Sequence, residues 1–381
     1  MKVLWVGDAI VNSGFSIVTH NICNELYTKC ELIVYGIRYD GRKRHPYPYY
    51  IYPAQTALGD MYSFDYLSTV IKEETPDVVV LFNDDHIIEK YLGTLLNDLA
   101  SPPRIVPLFP VNLLPIDAGR MLEFSRYGIE SVMTYTDYSK KKVEEINPNL
   151  DVTAIYHGVA PSVFFKIPDA KASLGVEGLF VVGNNNTNTY RKRLDLFLSG
   201  FAKFAKGKND VKCLIHATNK DIAYDLPTLV KDFNISDKTI LSGSPLDFEK
   251  INMLYNIMDV NVNTSLGEGF GLSLIEGAAC AVPVLCPPHG NLKDIWTQGA
   301  EFIDIAREEY LAGTSFIGGV ISEDSLADKL ELLYKDREFL ALRGNEALEQ
   351  SMRDKFSWKV VANKVYKTLV RANSGRLSFI S

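Results

Sequence analysis

The chain has 381 residues, 46% hydrophobic and 23% charged, a water-soluble globular profile too long for one ordinary core, so two domains are the default. A formal net charge of −7 argues against a general nucleic-acid coat, because duplex binding leans on phosphate neutralisation; a local basic groove stays open. Five cysteines (Cys23, Cys30, Cys213, Cys280, Cys286) with no Cys-x-x-Cys pair read as free thiols in a reducing, cytoplasmic compartment. The N-terminus "MKVLWVGDAIVNSG" is too short and too polar for a signal peptide. No window approaches the roughly 18 apolar residues of a membrane span.

Short apolar runs recur along the chain, each followed by a helical pattern. The first half carries "KVLWVG", "ELIVYGI", "DVVVLF", "RIVPLFP", "SVMTYT" and "VTAIYH"; the second carries "LFVVGN", "KCLIHAT", "TILSGS", "DVNVNTS" and "VPVLC". Strands apolar on both faces suit a parallel sheet covered by helices, and alternation of strand and helix implies a doubly wound α/β sheet. Two such sets imply two sheets. The break falls in "HGVAPSVFFKIPDAKASLG", residues 157–175, which has prolines, glycines and no clean periodicity. Trp358, Val361, Val365 and Leu369 mark a last amphipathic helix, whose host domain the pattern does not choose. In open α/β sheets the ligand sits beyond the carboxyl ends of the strands, so function is sought in the strand-to-helix loops.

In the first such loop, "VGDAIVNSGFSIVTHNICNEL", Asn12 or Ser13 suits a helix cap and Gly14 a tight turn. The lack of G-x-G-x-x-G speaks against a dinucleotide oxidoreductase. "GRKRHPYPYYIYP", residues 41–53 with Arg44 in its basic run, alternates cations with tyrosines. It suits a clamp on a single strand or flipped base, a rest on a membrane surface, or a plain aromatic surface loop. "FNDDHI" ends a strand with Asp84, Asp85 and His86; helix capping competes with a role toward an acceptor. His157 precedes the hinge glycine Gly158 and is either structural or turned toward a site.

"YRKRLDLFLSGFAKFAK" has an apolar face of Leu194, Phe197, Leu198 and Phe201, which predicts a helix with Arg191, Lys192 and Arg193 in its first turn. Cations at a helix N-terminus oppose its dipole, so three in a row suggest a compensating anion, with a solvated basic patch as the alternative.

"GEGFGLSLIEG", residues 267–277, then places two glutamates eight apart across a glycine-rich turn and a helix start. Gly267, Gly269 and Gly271 let the backbone bend and approach a ligand. The helix "LSLIEGAACA", ended by Pro283, presents N–H groups and a partial positive charge that bind anions such as phosphate. Glu276, one turn inside, has two acceptor oxygens suited to a vicinal diol such as ribose. Glu268, in the turn, would lie on the far side of the phosphates. The bland alternative is that the dipole alone favours acids there.

This segment resembles the E-x7-E motif of retaining GT-B glycosyltransferases of family 4. "EGFGLSLIEGAACAVPVLCPPHGNLKDI", residues 268–295, follows that pattern almost position by position, including Pro283 and "HGN..D". "HGVAPSVF", "LSGSPLDFEKINMLYNIMDVNVNTS" and "FSW" agree more loosely, over nearly the whole length. The resemblance implies two Rossmann-like doubly wound domains facing a central cleft. An acceptor domain would span 1–165 and regain the helix 357–381, which crosses back; a donor domain would span 166–356.

The resemblance further implies that Glu276 binds the nucleotide ribose and that amides around Gly269, Phe270, Gly271 and Leu272 hold the diphosphate. Ser244 and Gly14 would lie on the donor side. Glu268 would meet the donor sugar, and Lys192, then Arg191, would act on the leaving diphosphate. His86, Asp84, His157 and Arg44 are the acceptor-side candidates. The family usually has a cation just after the strand glycine, where this chain has Asn184, and often a histidine ending the fourth strand, where it reads "LFPVNLLPID". No Asp-x-Asp occurs, which argues against a carboxylate-held metal on the diphosphate. The implied activity is metal-independent, cofactor-free, retaining transfer from a GDP- or UDP-sugar to a hydroxyl acceptor, a glycan or glycoconjugate. Two other readings stay open: a nucleotide-sugar binding protein without catalysis, and a transferase whose acceptor is a modified DNA base.

Overall fold

The structure is a computed structural model that describes residues 1–55, 59–217 and 223–374. The chain divides into two compact units: unit 1 holds Met1–Val111, Ile116–Gly158 and the described chain from Lys355 onward, and unit 2 holds Asn112–Pro115 and Val159–Asp354.

Unit 1 begins with β1 (Lys2–Asp8), α1 (Gly14–Leu26), β2 (Glu31–Ile37), β3 (Tyr50–Pro53) and α2 (Phe64–Glu74). It continues with β4 (Val78–Phe82), α3 (Asp85–Asp98), β5 (Arg104–Leu108) and α4 (Ala118–Arg126). β6 (Ser131–Thr134), α5 (Asp137–Ile146) and β7 (Asp151–Ala154) close the sheet. Its strand order is β3-β2-β1-β4-β5-β6-β7, and every pairing is parallel. The central strand β4, "VVVLF", is buried at every position, as a β-branched run covered on both faces must be.

Unit 2 contains α6 (Ala170–Ser173), β8 (Phe180–Asn185), α7 (Leu194–Phe204), β9 (Val211–His216), α8 (Leu226–Asp232) and β10 (Thr239–Ser242). α9 (Phe248–Ile257), β11 (Val260–Val262), α10 (Leu272–Ala279), β12 (Val284–Cys286), α11 (Gly290–Ile295) and β13 (Ala300–Phe302) complete its sheet. The order β10-β9-β8-β11-β12-β13 is again all parallel. Counted from its own first strand it is the 3-2-1-4-5-6 order of a dinucleotide-type Rossmann sheet, which reverses between β8 and β11. An antiparallel hairpin, β14 (Ile305–Tyr310) and β15 (Ile317–Ile321), precedes α12 (Glu323–Lys335) and α13 (Arg337–Ser351).

The last helix, α14 (Trp358–Ser374), belongs to unit 1 and packs against α1. Trp358, Val361, Val365 and Leu369 form its buried stripe, each aliphatic side chain contributing about 1.5–3 kcal/mol of burial. A side chain at Gly158 would collide with the Trp358 ring, so the end of β7's exit is shaped to receive this helix. Residues 375–381, which the sequence reading places in the segment 357–381, lie outside the described residues.

Candidate functional site

In unit 2 the site residues gather where the strand order reverses, at the carboxyl ends of β8 and β11. Crevices of this kind are where open α/β sheets take their ligands. β11 stops at Val262, and the next nine residues turn back on themselves before α10 begins. Gly271 caps α10 at φ +85°, a left-handed conformation that suits glycine. A Cβ at Gly267 would strike the Asn112 carbonyl, and one at Gly277 the Asn261 amide, so both positions hold the turn and helix close to their neighbours.

Glu268 is only 5% exposed, yet every part of it is tied down. Its Oε1 accepts from Ser265 Oγ at 2.7 Å, from Asn263 Nδ2 at 3.0 Å and from Lys192 Nζ. Its Oε2 pairs with Arg191 Nη1 at 3.2 Å, and Asn291 Nδ2 donates to its backbone carbonyl at 2.8 Å. Thr264 Oγ1 donates to the Lys192 and Arg193 carbonyls at 3.0 and 2.9 Å, stitching the acidic turn to the basic one. His289 shares a 2.8 Å hydrogen bond with the Ser265 carbonyl. Burial alone would raise the Glu268 carboxyl, but Lys192 and Arg191 overcome it and hold the group well below the usual carboxylate range. Burial lowers the Lys192 ammonium to about 8, with Glu268 pulling the other way.

Glu276 is buried to a similar degree, at 7% exposure, in a different setting. Its Oε2 accepts from Tyr255 Oη at 2.8 Å, and that oxygen accepts from Asn185 Nδ2 at 2.7 Å. No cation stands beside it in a described ion pair, and burial pushes its carboxyl up to about 7. One oxygen is held by the tyrosine; the other has no hydrogen bond among those described.

Several sequence expectations need correction here. The basic residues do not occupy the first turn of α7: Tyr190–Lys192 form a separate 3-10 turn, and Arg193 caps α7 at φ 49°. Arg193 pairs with Asp195 at 2.9 Å and Glu309 at 2.7 Å, so it does not wait for a ligand. The compensating anion for Arg191 and Lys192 is in this structure the chain's own Glu268. Ser244 is exposed just beyond β10, the sheet edge two strands from β8. Gly269 and Phe270 are buried in the turn; Gly271 and Leu272 are partly exposed at the start of α10, whose first amides have no preceding turn to bond. Asn184, in the place of the family's cation, is fully buried, with a side-chain N–H₂ that meets no acceptor among the described residues.

In unit 1, Ser13 caps α1 by accepting from Ser16 N at 3.1 Å, and the exposed Gly14 is the first helical residue. Asp84 occupies the N-cap of α3 but makes no capping bond with its side chain. His86 is exposed, 3.9 Å from Asp85. His157 is no surface group: it lies 98% buried, 4.1 Å from the Tyr135 ring centroid and 6.1 Å from that of Trp358. Burial lowers it to about 3, so it stays neutral. Arg44 is exposed. The 41–53 segment is not wholly a loop, because Tyr50–Pro53 pair in parallel with β2. Its Tyr47 stacks on His20 at 3.5 Å and Tyr49 is buried, so both rings already pack against the chain.

Sequence reasoning missed Tyr255, Asn185, Asn263 and Ser265. Nothing local marks a tyrosine in an amphipathic helix as the holder of a glutamate 21 residues later. It also missed Asp8, 98% buried at the end of β1 and bonded by Ser13 Oγ at 2.7 Å.

Comparisons with known proteins agree with this architecture. Over 98% of the chain and 100% of the neighbour, the fold matches sucrose-phosphate synthase from Thermosynechococcus elongatus at TM-score 0.77 and 14% identity. The Anabaena protein HepE, solved with UDP and glucose, matches at TM-score 0.75 and 15% identity over 97% of this chain and 100% of that one. The fold is therefore GT-B, two Rossmann-like units of parallel sheet. In sequence, the chain is 25% identical to N-acetyl-alpha-D-glucosaminyl L-malate synthase of Bacillus anthracis over 251 residues, 64% of this chain. That match spans 61% of the relative's own length. Residues 177–336, which carry the whole glutamate cluster, match the model of glycosyl transferases group 1.

Proposed function

We propose that this protein is a metal-independent, retaining glycosyltransferase of family 4 that moves a sugar from a UDP- or GDP-sugar to a hydroxyl acceptor. The observation that carries the reading is the pair of buried glutamates flanking the start of α10, each held by its own partners. The diphosphate would lie on the first amides of α10, where the helix favours negative charge. Glu276 would accept from the ribose hydroxyls, with Tyr255 fixing its carboxylate. Lys192 and Arg191 would face the diphosphate as the bond from sugar to phosphate breaks, when its negative charge grows. Glu268 would orient those cations and meet hydroxyls of the donor sugar.

In the transfer itself, the bond from the anomeric carbon to the phosphate oxygen breaks and one to the acceptor oxygen forms. The departing phosphate takes the acceptor's proton on the same face, through an oxocarbenium-like transition state. Fixed cations and amides suit that route, and no covalent nucleophile is assigned. The HepE neighbour was solved with UDP and glucose, which supports a nucleotide-sugar donor. The acceptor remains a hydroxyl compound of the glycan or glycoconjugate kind. The products named for the Bacillus and Thermosynechococcus proteins, a malate glycoside and a sugar phosphate, are anions.

A second reading, a nucleotide-sugar binder without catalysis, draws on Asn184 in place of the family's cation. A thermal-shift panel of UDP, GDP, ADP and dTDP tests the donor site, since a ligand at 100 times its Kd adds about 2.7 kcal/mol. Donor hydrolysis or transfer abolished by Glu268→Ala supports the enzyme; a protein that binds but never turns over donor supports the binder.

A further inference from the structure

The segment after β2 is a basic crown that the described residues leave almost without counter-charge. Arg42, Lys43 and Arg44 are all exposed. Arg42, with a side chain 90% exposed, has only Asp40 at 3.8 Å; Lys43 and Arg44 make no ion pair with any described residue. Around them the chain is fixed. Tyr39 Oη donates to the Lys43 carbonyl at 3.0 Å, Arg42 N donates to Asp40 Oδ1 at 3.0 Å, and Gly41 turns at φ +81°. Tyr47 stacks on His20 with ring planes 7° apart. His20 in turn is bonded to the Ala9 carbonyl at 2.9 Å and to Tyr49 Oη at 2.8 Å.

Those contacts tie the crown to the exit of β1, the carboxyl-end region where unit 1's strand order reverses. Arg38, just after β2, is 3.8 Å from the buried Asp8 at that exit. Independently, His45 Nδ1 is buried and makes no hydrogen bond with a described residue. A tethered backbone loses less conformational freedom on binding than a free loop, and guanidinium forks match phosphate oxygens. The overall charge of −7 makes this local excess of cations an exception that calls for a specific anion.

We propose that Arg42, Lys43 and Arg44 grip a phosphate group carried by the acceptor, placing its hydroxyl at the carboxyl ends of β1 and β4. This rests on the glycosyltransferase reading and adds to it the chemical class of the acceptor. The phosphate belongs either to a soluble sugar or polyol phosphate or to a lipid headgroup.

The test is calorimetry on the full chain with glucose 6-phosphate against glucose, glycerol 3-phosphate against glycerol, and phosphatidic acid vesicles against phosphatidylcholine vesicles. The expected result is at least about tenfold tighter binding of a phosphorylated member, lost in the Arg42→Gln/Lys43→Gln/Arg44→Gln variant. Preference in the soluble pairs assigns a free phosphate; preference only in the vesicles assigns a headgroup. No preference in any pair, or a preference the variant keeps, overturns the proposal, as does binding confined to a single-stranded DNA oligonucleotide. UDP and GDP titrated into the same samples report on the donor site separately. Failure of both to bind wild type counts against the transferase reading, whatever the phosphate pairs show.

Discussion

Glu268 and Glu276 are the same residue type, eight positions apart and almost equally buried, and their surroundings drive them in opposite directions. Glu268 is surrounded by two cations and two neutral donors and stays ionised far below neutral pH. Glu276 has one phenol and a low-dielectric wall, and hesitates near pH 7. Burial acts on both; compensation decides the outcome. One site therefore holds a permanent charge that fixes cations, and the other a carboxylate whose charge changes near neutral pH.

The largest effect should come from breaking the compensated side. Lys192→Met leaves Glu268 with Arg191 alone, and loss of one partner from a buried pair costs about 3–5 kcal/mol. Urea unfolding reads that loss. Turnover in the surviving folded protein should fall roughly 10²–10³-fold if Lys192 also stabilises the departing diphosphate. A variant that unfolds and turns over like wild type would erase the difference between the two glutamates.

The uncompensated side should behave oppositely. Glu276 is raised from 4.5 to about 7, so between those values the folded state holds a proton that the unfolded state has released. Its contribution to stability is therefore lost as pH rises through about 7, leaving a penalty of about 3 kcal/mol above it. Glu276→Gln should remove that slope and raise stability at pH 8, while weakening nucleotide binding. Denaturation at pH 5 and pH 8 checks the sign; a Gln variant less stable at both pH values contradicts it. Nucleotide affinity of the wild type should itself rise through pH 7, as Glu276 ionises.

Smaller effects sharpen the geometry. Gly267→Ala must push the Asn112 carbonyl aside, and overpacking of that kind costs about 1–3 kcal/mol. The smallest belong to residues the structure leaves outside the cluster: Ser244→Ala and His86→Ala should stay within about 0.5 kcal/mol in stability. Both should leave the Kd for nucleotide unchanged in a titration.

Much of this was legible in the sequence. Parallel strands buried on both faces are continuous apolar runs, so β1, β2, β4 and β8 stand out, and the glycine turn announces α10. Other elements carry no such mark. β14 reads "IAREEY" and has most of its residues exposed, since a two-stranded hairpin has no second layer to demand an apolar face. β3 hides behind prolines and tyrosines at the sheet edge. In the site, the two glutamates stand out by their eight-residue spacing and Lys192 by the basic run it sits in, each a pattern local to its own segment. Tyr255 and Asn185 were not, because they meet across 70 residues of chain. Nor could the sequence foresee that Arg191 and Lys192 already hold an internal anion, a matter of side-chain placement rather than of pattern.

The central claim is that Glu276 accepts the hydroxyls of a ribose whose diphosphate lies at the start of α10. The direct measurement is the Kd of the best-bound nucleoside diphosphate and of its 2′,3′-dideoxy analogue, in wild type and in Glu276→Gln. Hydrogen bonds to a charged group contribute about 1.5–3 kcal/mol, so removing the hydroxyls should weaken wild-type binding roughly 10–100-fold and the variant far less. Equal losses in both proteins, or a variant that binds the full nucleotide as tightly as wild type, would contradict the account.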